Sequence, residues 1–370
     1  MSRTLNDADR PGRGLLSTLI REGHERFEFV CVTSSINPEL RPLVEWQRVP
    51  IPPSAPMRVQ WAVFYAAAPL ALRRVDVDVV HAMSSQPAVP SRVDLATVNW
   101  CLGGYHEATN GRPPGESRLT WRAARAFTLG VERFNYRPQR TRCAEVETPA
   151  AKATLERLHP RLRVVHVPLV YDTERFRPDP ELREKVRAEL DAGPDEVVAL
   201  YMGRNPHIKG LDLAVQGLAD AHRRGAGNLT LWVVGTGDPA PMASRSGIAD
   251  RVKTLGFRED VERYLAAADL FLLPTIYEHG SRSSHEAAAC GLPLVVTATS
   301  GPEALIGDDE GGIVIERDPS SIGAALTRLA GDPELRRSMG QVARERMLAR
   351  NGHSHEPFFE LYEQLAANGA

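Results

Sequence analysis

Residues 271–297 read FLLPTIYEHGSRSSHEAAACGLPLVVT, an apolar run, a polar loop, a short helix pattern and a second apolar run. The first strand is predicted to end at Pro274, and the helix to run from about residue 284 to residue 290. Gly291 and Pro293 stop that helix before the next strand begins. Buried strands joined through a helix pair in parallel, so this stretch indicates an α/β fold.

Similar apolar runs lie on both sides of this stretch and alternate with amphipathic helix patterns. One such helix places Leu211, Val215 and Leu218 on a single face. Short apolar strands are typical of a parallel sheet that is covered by helices on both faces. The second half of the chain is therefore predicted to be one complete Rossmann-like, doubly wound domain. Its predicted strands are residues 196–202, 229–234, 252–256, 270–274, 294–297 and 313–315.

The first half also alternates helix and strand patterns, but its opening is unusual. A doubly wound domain starts with a strand, whereas residues 1–14 are polar and lead directly into a helix pattern at Leu15. We expect the first, normally central strand to be encoded in frame upstream of Met1 and joined to residues 2–5; loss of that strand is the alternative. The predicted elements are helices at about 15–22, 57–73 and 117–134, and strands at 27–33, 77–81, 95–99 and 163–167.

The chain is expected to have two domains and a C-terminal segment. Residues 171–180 contain two prolines and a charge cluster, which is typical of a linker between domains. The predicted parts are residues 1–175, 176–350 and 351–370, the last with a helix at about 355–367.

The composition argues against several classes of protein. The 370 residues include 45 Lys and Arg against 47 Asp and Glu, so no overall basic field attracts nucleic acid. The four cysteines lie far apart without metal-site spacing, which favours a reducing, cytoplasmic location. No signal peptide is expected, and no apolar run reaches the ~18–20 residues of a membrane span. The nearest, residues 59–72, is either a buried helix or one that contacts a membrane face.

Ligands of open α/β sheets bind beyond the carboxyl ends of the strands. The predicted helix start at residues 281–284 places N–H groups there, which favours a bound diphosphate. Glu278 and Glu286 flank this position and are candidate ligand contacts. Alternatively, Glu286 closes a capping box with Ser283, and Glu278 is a solvated loop residue.

A second segment at the same sheet edge is YMGRNPHIKG, residues 201–210. Gly203 and Arg204 follow a predicted strand, and Lys209 precedes a helix. A guanidinium and an ammonium that face one crevice suit a phosphate group. Solvated surface cations are the alternative. Lysine occurs only at positions 152, 185, 209 and 253, which favours a specific role for Lys209.

These segments together resemble the retaining glycosyltransferases of group 1 (family 4). The resemblance is strong from about Val164 to the C-terminus and weak before it. The residues that carry it are Gly203-Arg204 with Lys209-Gly210, Gly235-x-Gly237-Asp238, Leu255-Gly256-Phe257, Glu278-x7-Glu286-Ala287, Cys290-Gly291-x-Pro293, Pro302-Glu303, Gly311-Gly312 and Asp332-Pro333-Glu334.

The resemblance implies a GT-B fold, in which two Rossmann-like domains face a central cleft and the last helix returns to the first domain. It also implies that the second domain binds a nucleotide-diphosphate sugar. By position, Arg204 and Lys209 would hold the diphosphate, while Glu286 would contact the ribose and Glu278 the donor sugar. The remaining donor-site positions are Gly203, the amides near Ser283 and Ser284 beside the distal phosphate, and Phe257 and Arg258 beside the base.

Two departures from the family pattern concern the acceptor side and the donor sugar. The family often has a histidine after a mid-domain strand of the first half, where this chain has Asn99. His106 is a candidate to compensate, or else a solvated loop residue. The residues between Glu278 and Glu286 are polar instead of apolar, so the resemblance does not define the donor sugar.

The sequence therefore predicts a retaining glycosyltransferase that moves a sugar from a nucleotide-diphosphate donor to a hydroxyl acceptor, in cell-surface polysaccharide or glycolipid synthesis. The expected acceptor is a sugar or a lipid-linked sugar, with peripheral contact at the inner face of the cell membrane. No metal or other cofactor is expected, because Arg204, Lys209 and helix amides would neutralise the diphosphate. The alternatives are a catalytically inactive GT-B subunit that binds a sugar nucleotide or a partner, and a non-hydrolysing sugar-nucleotide epimerase.

Overall fold

The computed structural model describes residues 14–51, 57–83, 92–109, 117–299, 301–352 and 354–367. They form two compact units. The second unit is Val170–Asn351, and the first comprises the residues up to Leu169 together with those from Gly352 onwards. The strand expected ahead of residues 2–5 lies outside the described residues.

The described strands of the first unit form two separate parallel sheets. They are β1 (Phe29–Thr33), β2 (Val44–Arg48), β3 (His81–Met83), β4 (Val93–Thr97), β5 (Thr141–Val146) and β6 (Arg163–His166). One sheet consists of β1 and β2, and the other has the order β3–β4–β5–β6. In a doubly wound sheet the opening strand lies between the strands that correspond to β1 and β3. A cavity of 470 Å³ lies there, lined by Phe29, Val30 and Val32 on one side and by Val79 and Val80 on the other.

The helices of the first unit agree with the sequence pattern better than its strands do. They are α1 (Leu15–Gly23), α2 (Met57–Leu72), α3 (Leu102–Thr109), α4 (Arg118–Asn135) and α5 (Pro149–Leu158). The strand predicted at residues 77–81 is wrong, since β3 begins only at His81. The Val80 amide donates to the Asp94 side chain at 3.0 Å and not to a strand backbone. Strand β5 was not predicted because Arg142 and Glu145 interrupt its apolar pattern.

The second unit contains one six-stranded parallel sheet among the described residues. Its strands are β7 (Val197–Gly203), β8 (Leu229–Gly235), β9 (Val252–Gly256), β10 (Leu270–Leu273), β11 (Leu294–Thr297) and β12 (Gly312–Ile315). The order β12–β11–β10–β7–β8–β9 places β7 beside β10 at the centre. Trp232, Tyr201 and Phe271 are completely buried in the core around these strands. Every strand agrees with its predicted bounds to within one residue, because buried parallel strands are continuous apolar runs.

Helices connect these strands and cover the sheet. They are α6 (Pro180–Glu189), α7 (Pro206–Lys209), α8 (Leu211–Arg223), α9 (Ala240–Arg245), α10 (Val261–Ala267), α11 (Arg282–Ala289), α12 (Glu303–Ile306), α13 (Pro319–Gly331) and α14 (Pro333–Arg350). Helix α8 has Leu211, Val215 and Leu218 buried, as its periodicity predicted.

The boundary between the units lies at Leu169–Val170 and not after residue 175. Tyr171 belongs to the second unit, because its N–H donates to Asn351 Oδ1 at 2.8 Å and its ring stacks on His285 with centroids 5.0 Å apart. The first part of the expected linker at residues 171–180 is therefore packed against the second unit.

The last helix, α15 (Glu356–Ala367), belongs to the first unit. Phe358, Phe359 and Tyr362 are buried there. At the surface, the Arg26 guanidinium forms ion pairs with the carboxylates of Glu356 and Glu363.

Candidate functional site

Two loops meet in the second unit at the carboxyl ends of the neighbouring strands β7 and β10. The amide of Ile276 donates to the Ile208 carbonyl at 2.7 Å, which joins the loop after β10 to helix α7. Gly210 ends α7 with a positive φ of 74°. A Cβ at this position would lie 2.2 Å from the Pro274 carbonyl oxygen, so only glycine allows the two loops to approach this closely.

The close approach of the loops brings Lys209 and Glu278 together. Their ammonium and carboxylate groups form an ion pair, and the Glu278 side chain is only 8% exposed. The Thr275 hydroxyl lies 3.4 Å from Glu278 Oε1 and 3.1 Å from the Ile208 carbonyl oxygen. The structure therefore brings together two of the predicted site residues, and the interpretation of Glu278 as a solvated loop residue is wrong.

Gly203, the last residue of β7, lies directly beneath the Lys209 side chain. A Cβ on Gly203 would lie 2.9 Å from Lys209 Cγ and 3.0 Å from its Cβ. Contacts below about 3 Å force one partner to move, so the absence of a side chain at Gly203 leaves room for the Lys209 side chain in this position.

Arg204 lies apart from the ion pair and is exposed. Its guanidinium carbon is 4.8 Å from the centre of the Phe257 ring, which is 42% exposed. The neighbouring Arg258 instead donates to both carboxylate oxygens of Asp260 at 3.1 Å. Arg204 and Phe257 thus form a planar, accessible pair, whereas the Arg258 side chain is engaged within its own turn.

Helix α11 begins two residues earlier than the sequence pattern predicted. Ser281 is its N-cap residue, and the helix starts at Arg282. The Ser281 and Ser284 hydroxyls are 2.6 Å apart, and both side chains are buried. The capping box of Ser283 and Glu286 is therefore wrong, because both residues lie inside the helix, where Glu286 is half-buried.

His285 on α11 is held in place from two sides. Its Nδ1 lies 2.9 Å from the Ser281 carbonyl oxygen, and its ring stacks on Tyr171. Burial lowers the pKa of His285 below its usual value, which favours the neutral ring. These contacts hold the start of α11 against Tyr171, near the beginning of the second unit.

The two acceptor-side candidates belong to the first unit. Asn99 is exposed just after β4. His106 lies in helix α3 and is half-buried, so its interpretation as a solvated loop residue is wrong. Its Nε2 is 3.2 Å from the Thr128 hydroxyl of α4, and burial lowers the pKa of the imidazole.

A buried polar chain in the first unit was not predicted from the sequence. Tyr362 contacts His81 Nδ1 at 2.8 Å, His81 Nε2 contacts the Thr97 hydroxyl at 2.9 Å, and Thr97 donates to Glu145 at 2.8 Å. Burial raises the pKa of Glu145 to about 8 and lowers the pKa of His81 well below its usual value. The four residues come from β3, β4, β5 and α15, so no local sequence pattern could have indicated their contact.

Neither a cluster of metal ligands nor a helix suited to crossing a membrane is found among the described residues. No group of three or more His, Cys, Asp or Glu side chains has an arrangement that could hold a metal ion. No helix in these parts of the chain is long and apolar enough to cross a bilayer.

Residues 196–332 match the family model described as glycosyl transferases group 1. Among curated relatives, a lipopolysaccharide core biosynthesis glycosyltransferase of Rhizobium meliloti is 28% identical over 49% of this chain and 53% of its own length. A GDP-mannose-dependent α-(1-6)-phosphatidylinositol monomannoside mannosyltransferase of Mycolicibacterium smegmatis is 31% identical over 50% of this chain and 52% of its own. The chain thus spans about half the length of these relatives.

Two solved structures resemble nearly the whole chain. Sucrose-phosphate synthase from Thermosynechococcus elongatus has a TM-score of 0.76 at 20% identity, over 96% of this chain and 94% of its own. WaaG, a glycosyltransferase involved in lipopolysaccharide biosynthesis, has a TM-score of 0.72 at 21% identity, over 95% and 94%. The expected GT-B fold class is confirmed.

Proposed function

We propose that this chain, whose residues 196–332 match the family model of the group 1 glycosyl transferases, transfers a sugar from a nucleotide-diphosphate donor to a hydroxyl acceptor with retention of configuration. The observation that carries the proposal is the position of the Lys209–Glu278 ion pair at the carboxyl ends of β7 and β10. In open α/β sheets this edge is where ligands bind.

Three groups of the second unit are suited to a diphosphate. Lys209 supplies a compact ammonium and Arg204 an exposed guanidinium, and the N-terminal amides of α11, near Ser283 and Ser284, supply oriented dipoles. Cleavage of the glycosidic bond places negative charge on the departing diphosphate. Fixed cations and dipoles aimed at that charge stabilise the transition state more than the bound substrate.

The partners of these cations suit the rest of the donor. Glu278 holds the Lys209 ammonium near the site and presents its carboxylate to hydroxyls of the donor sugar. Phe257 and the Arg204 guanidinium offer flat surfaces on which a base can stack. Glu286, half-buried one helical turn into α11, is assigned to the ribose hydroxyls. The donor's own phosphate assists attack from the same face, so the proposal needs no separate protein base.

The acceptor is proposed to be a sugar or lipid-linked sugar hydroxyl, with Asn99 and His106 on the acceptor side. The neutral ring that His106 favours can donate one hydrogen bond and accept another, which suits a hydroxyl. We place the reaction in the cytoplasm, in cell-surface polysaccharide or glycolipid synthesis.

A catalytically inactive GT-B subunit is the second candidate. The division of the first unit's described strands into two sheets favours it, because the acceptor-side loops then rest on a less continuous scaffold. In the described first unit, His81, Glu145 and Tyr362 are engaged with one another through the buried polar chain, so nothing specific favours an epimerase.

The proposal is tested by incubating the full chain with a panel of nucleotide sugars, with and without sugar and lipid-linked acceptors. Release of the nucleoside diphosphate only with an acceptor, and an anomeric configuration retained in the product, support it. Binding of nucleoside diphosphate without turnover would identify the inactive subunit, and a new sugar nucleotide without acceptor an epimerase. Activity is expected to survive EDTA; loss restored by Mg²⁺ or Mn²⁺ would show that Arg204 and Lys209 do not suffice.

A further inference from the structure

Helix α4 has one face that the rest of the chain leaves exposed. Leu119 is 81% exposed and Phe127 is 72% exposed, whereas Phe134 is 40% exposed and the Arg140 guanidinium carbon lies 3.9 Å from the centre of its ring. At about 100° per residue, these side chains and the exposed Ala123 lie within one sector of the helix. We call Leu119, Ala123, Phe127 and Phe134 the α4 ridge. Large apolar side chains grouped on a surface in this way indicate an interaction site.

Arginines border the α4 ridge. Arg118, Arg122 and Arg133 are exposed and lie along one side of it. The sole carboxylate in the sequence of α4 belongs to Glu132, which is buried and accepts a hydrogen bond from the Gly103 amide at 3.0 Å. Glu132 therefore anchors α4 to α3 and does not neutralise the exposed arginines.

A cavity of 730 Å³ lies at the C-terminal end of the same helix. Arg133, Arg137 and Arg161 line it, together with Tyr136 and His159. The described part of the chain provides no ion-pair partner for any of these three guanidiniums. The Glu132 carboxylate lies 3.2 Å from His159 Nε2 and pairs with none of the three guanidiniums, which suit a phosphate group.

We propose that the α4 ridge and its arginines dock the first unit onto a bilayer surface that contains anionic phospholipids, with a headgroup phosphate in the cavity. Helices that lie in the membrane interface combine apolar side chains with Lys and Arg in this way. Helix α2, the candidate that the sequence offered for a membrane contact, buries Phe64 and Ala68 in the core. It leaves Val59 and Leu70 exposed, but none of its described side chains is an arginine. This inference rests on the proposed function in one respect, which is that docking gives the transferase access to a lipid-linked acceptor.

Two other occupants fit the face less well. A second copy packed on the same α4 ridge would bring the arginines of both copies together, with no exposed carboxylate on α4 to offset them. A nucleic acid would contact the arginines but leave Leu119 and Phe127 in water. A surface with phosphates above acyl chains satisfies both kinds of side chain at once.

The test is co-sedimentation of the full chain with phosphatidylcholine vesicles, prepared with and without phosphatidylglycerol. We expect binding that requires phosphatidylglycerol and is weakened by salt. The double variant Leu119→Ser/Phe127→Ser should abolish it, and Arg118→Gln and Arg122→Gln should each weaken it about fivefold. Leu348→Ser and Arg337→Gln, on exposed positions of α14, are the matched controls and should bind as the unaltered chain does.

The cavity is tested separately with Arg137→Gln/Arg161→Gln. We expect weaker binding to phosphatidylglycerol vesicles, and no competition from inorganic phosphate at low millimolar concentration, because the headgroup is presented on a surface. Competition by free phosphate would identify a soluble anion as the ligand and overturn the headgroup assignment.

Three results would overturn the docking surface itself. They are failure of the unaltered chain to sediment with vesicles, equal sedimentation of the α4 variants, and a concentration-dependent dimer that Phe127→Ser abolishes. Calorimetric binding of UDP and GDP to the same variants keeps this test apart from the proposed function. A variant that loses vesicle binding but still binds nucleotide identifies an effect of α4 alone. If the unaltered chain binds vesicles but has no transferase activity, the proposed function is wrong and the docking surface is not.

Discussion

Lys209 and Glu278 form an ion pair between the loops that follow β7 and β10, although 69 positions separate them in the sequence. Both side chains are mostly buried, so each charge depends on the other for compensation. Under the proposed function, a diphosphate that entered this edge would meet an ammonium already positioned by a carboxylate. Removal of either partner leaves the other charge buried without compensation. The thermal stability of each variant must therefore be measured together with its activity.

Replacement of Lys209 by alanine is expected to reduce kcat/KM by about 10- to 150-fold. A charge-assisted contact is typically worth ~1.5–3 kcal/mol, and about 1.4 kcal/mol corresponds to one decade in rate. The loss should include kcat, because charge on the leaving diphosphate grows as the bond breaks.

The matched control for that measurement is Lys185→Ala, on an exposed position of α6. Lys253 is not a suitable control, because its ammonium donates a hydrogen bond to the Leu190 carbonyl near the end of α6. Equal activity of the Lys209 and Lys185 variants on the true donor would identify Lys209 as a structural cation without a role in transfer.

Gly203→Ala is expected to impair activity through Lys209. The new methyl group would lie 2.9 Å from Lys209 Cγ and would displace the ammonium from Glu278. Gly227→Ala is the control, because a Cβ there meets nothing within 4 Å. Steady-state kinetics should show a raised KM and a lowered kcat for the first variant alone. Wild-type kinetics for Gly203→Ala would mean that Lys209 can act from another position.

Thr275→Val is expected to lower kcat without preventing folding. The Thr275 hydroxyl lies within 3.1 Å of the Ile208 and Tyr277 carbonyl oxygens, the residues that precede Lys209 and Glu278. Its loss costs ~1 kcal/mol of stability and loosens both site residues. Thr275→Ser keeps the hydroxyl and should restore kcat. A variant that loses thermal stability but retains kcat would make Thr275 merely structural.

Glu145→Gln is expected to change how stability depends on pH. The folded state raises the pKa of Glu145 from 4.5 to about 8, so the folded chain holds this proton more tightly than the unfolded chain does. Stability from this group is full below pH 4.5 and is lost as the pH rises towards 8. Between these limits the melting temperature of the unaltered chain should fall more steeply than that of Glu145→Gln. Parallel curves would show that Glu145 ionises normally in the fold.

The strands of the second unit could be predicted closely, because each strand is marked by residues that are neighbours in the sequence. Each strand is a short apolar run between helix patterns, and the positions of Gly203, Lys209 and Glu278 at strand ends follow from that alternation. The first unit was harder to predict. Charged residues interrupt β5. The start of β3 depends on a hydrogen bond from the Val80 backbone amide to the Asp94 side chain, which no periodicity reveals.

The sequence by itself determined the α/β class, the strands of the second unit and the set of polar residues at their carboxyl ends, because burial and helix periodicity are properties of neighbouring residues. Only the tertiary structure decided which of those residues meet. Lys209 and Glu278 pair because Gly210 lets two loops from adjacent central strands approach, whereas Arg204 lies against Phe257 instead. Likewise, the arginines of α4 became a surface only when packing buried Glu132 and left Leu119 and Phe127 exposed.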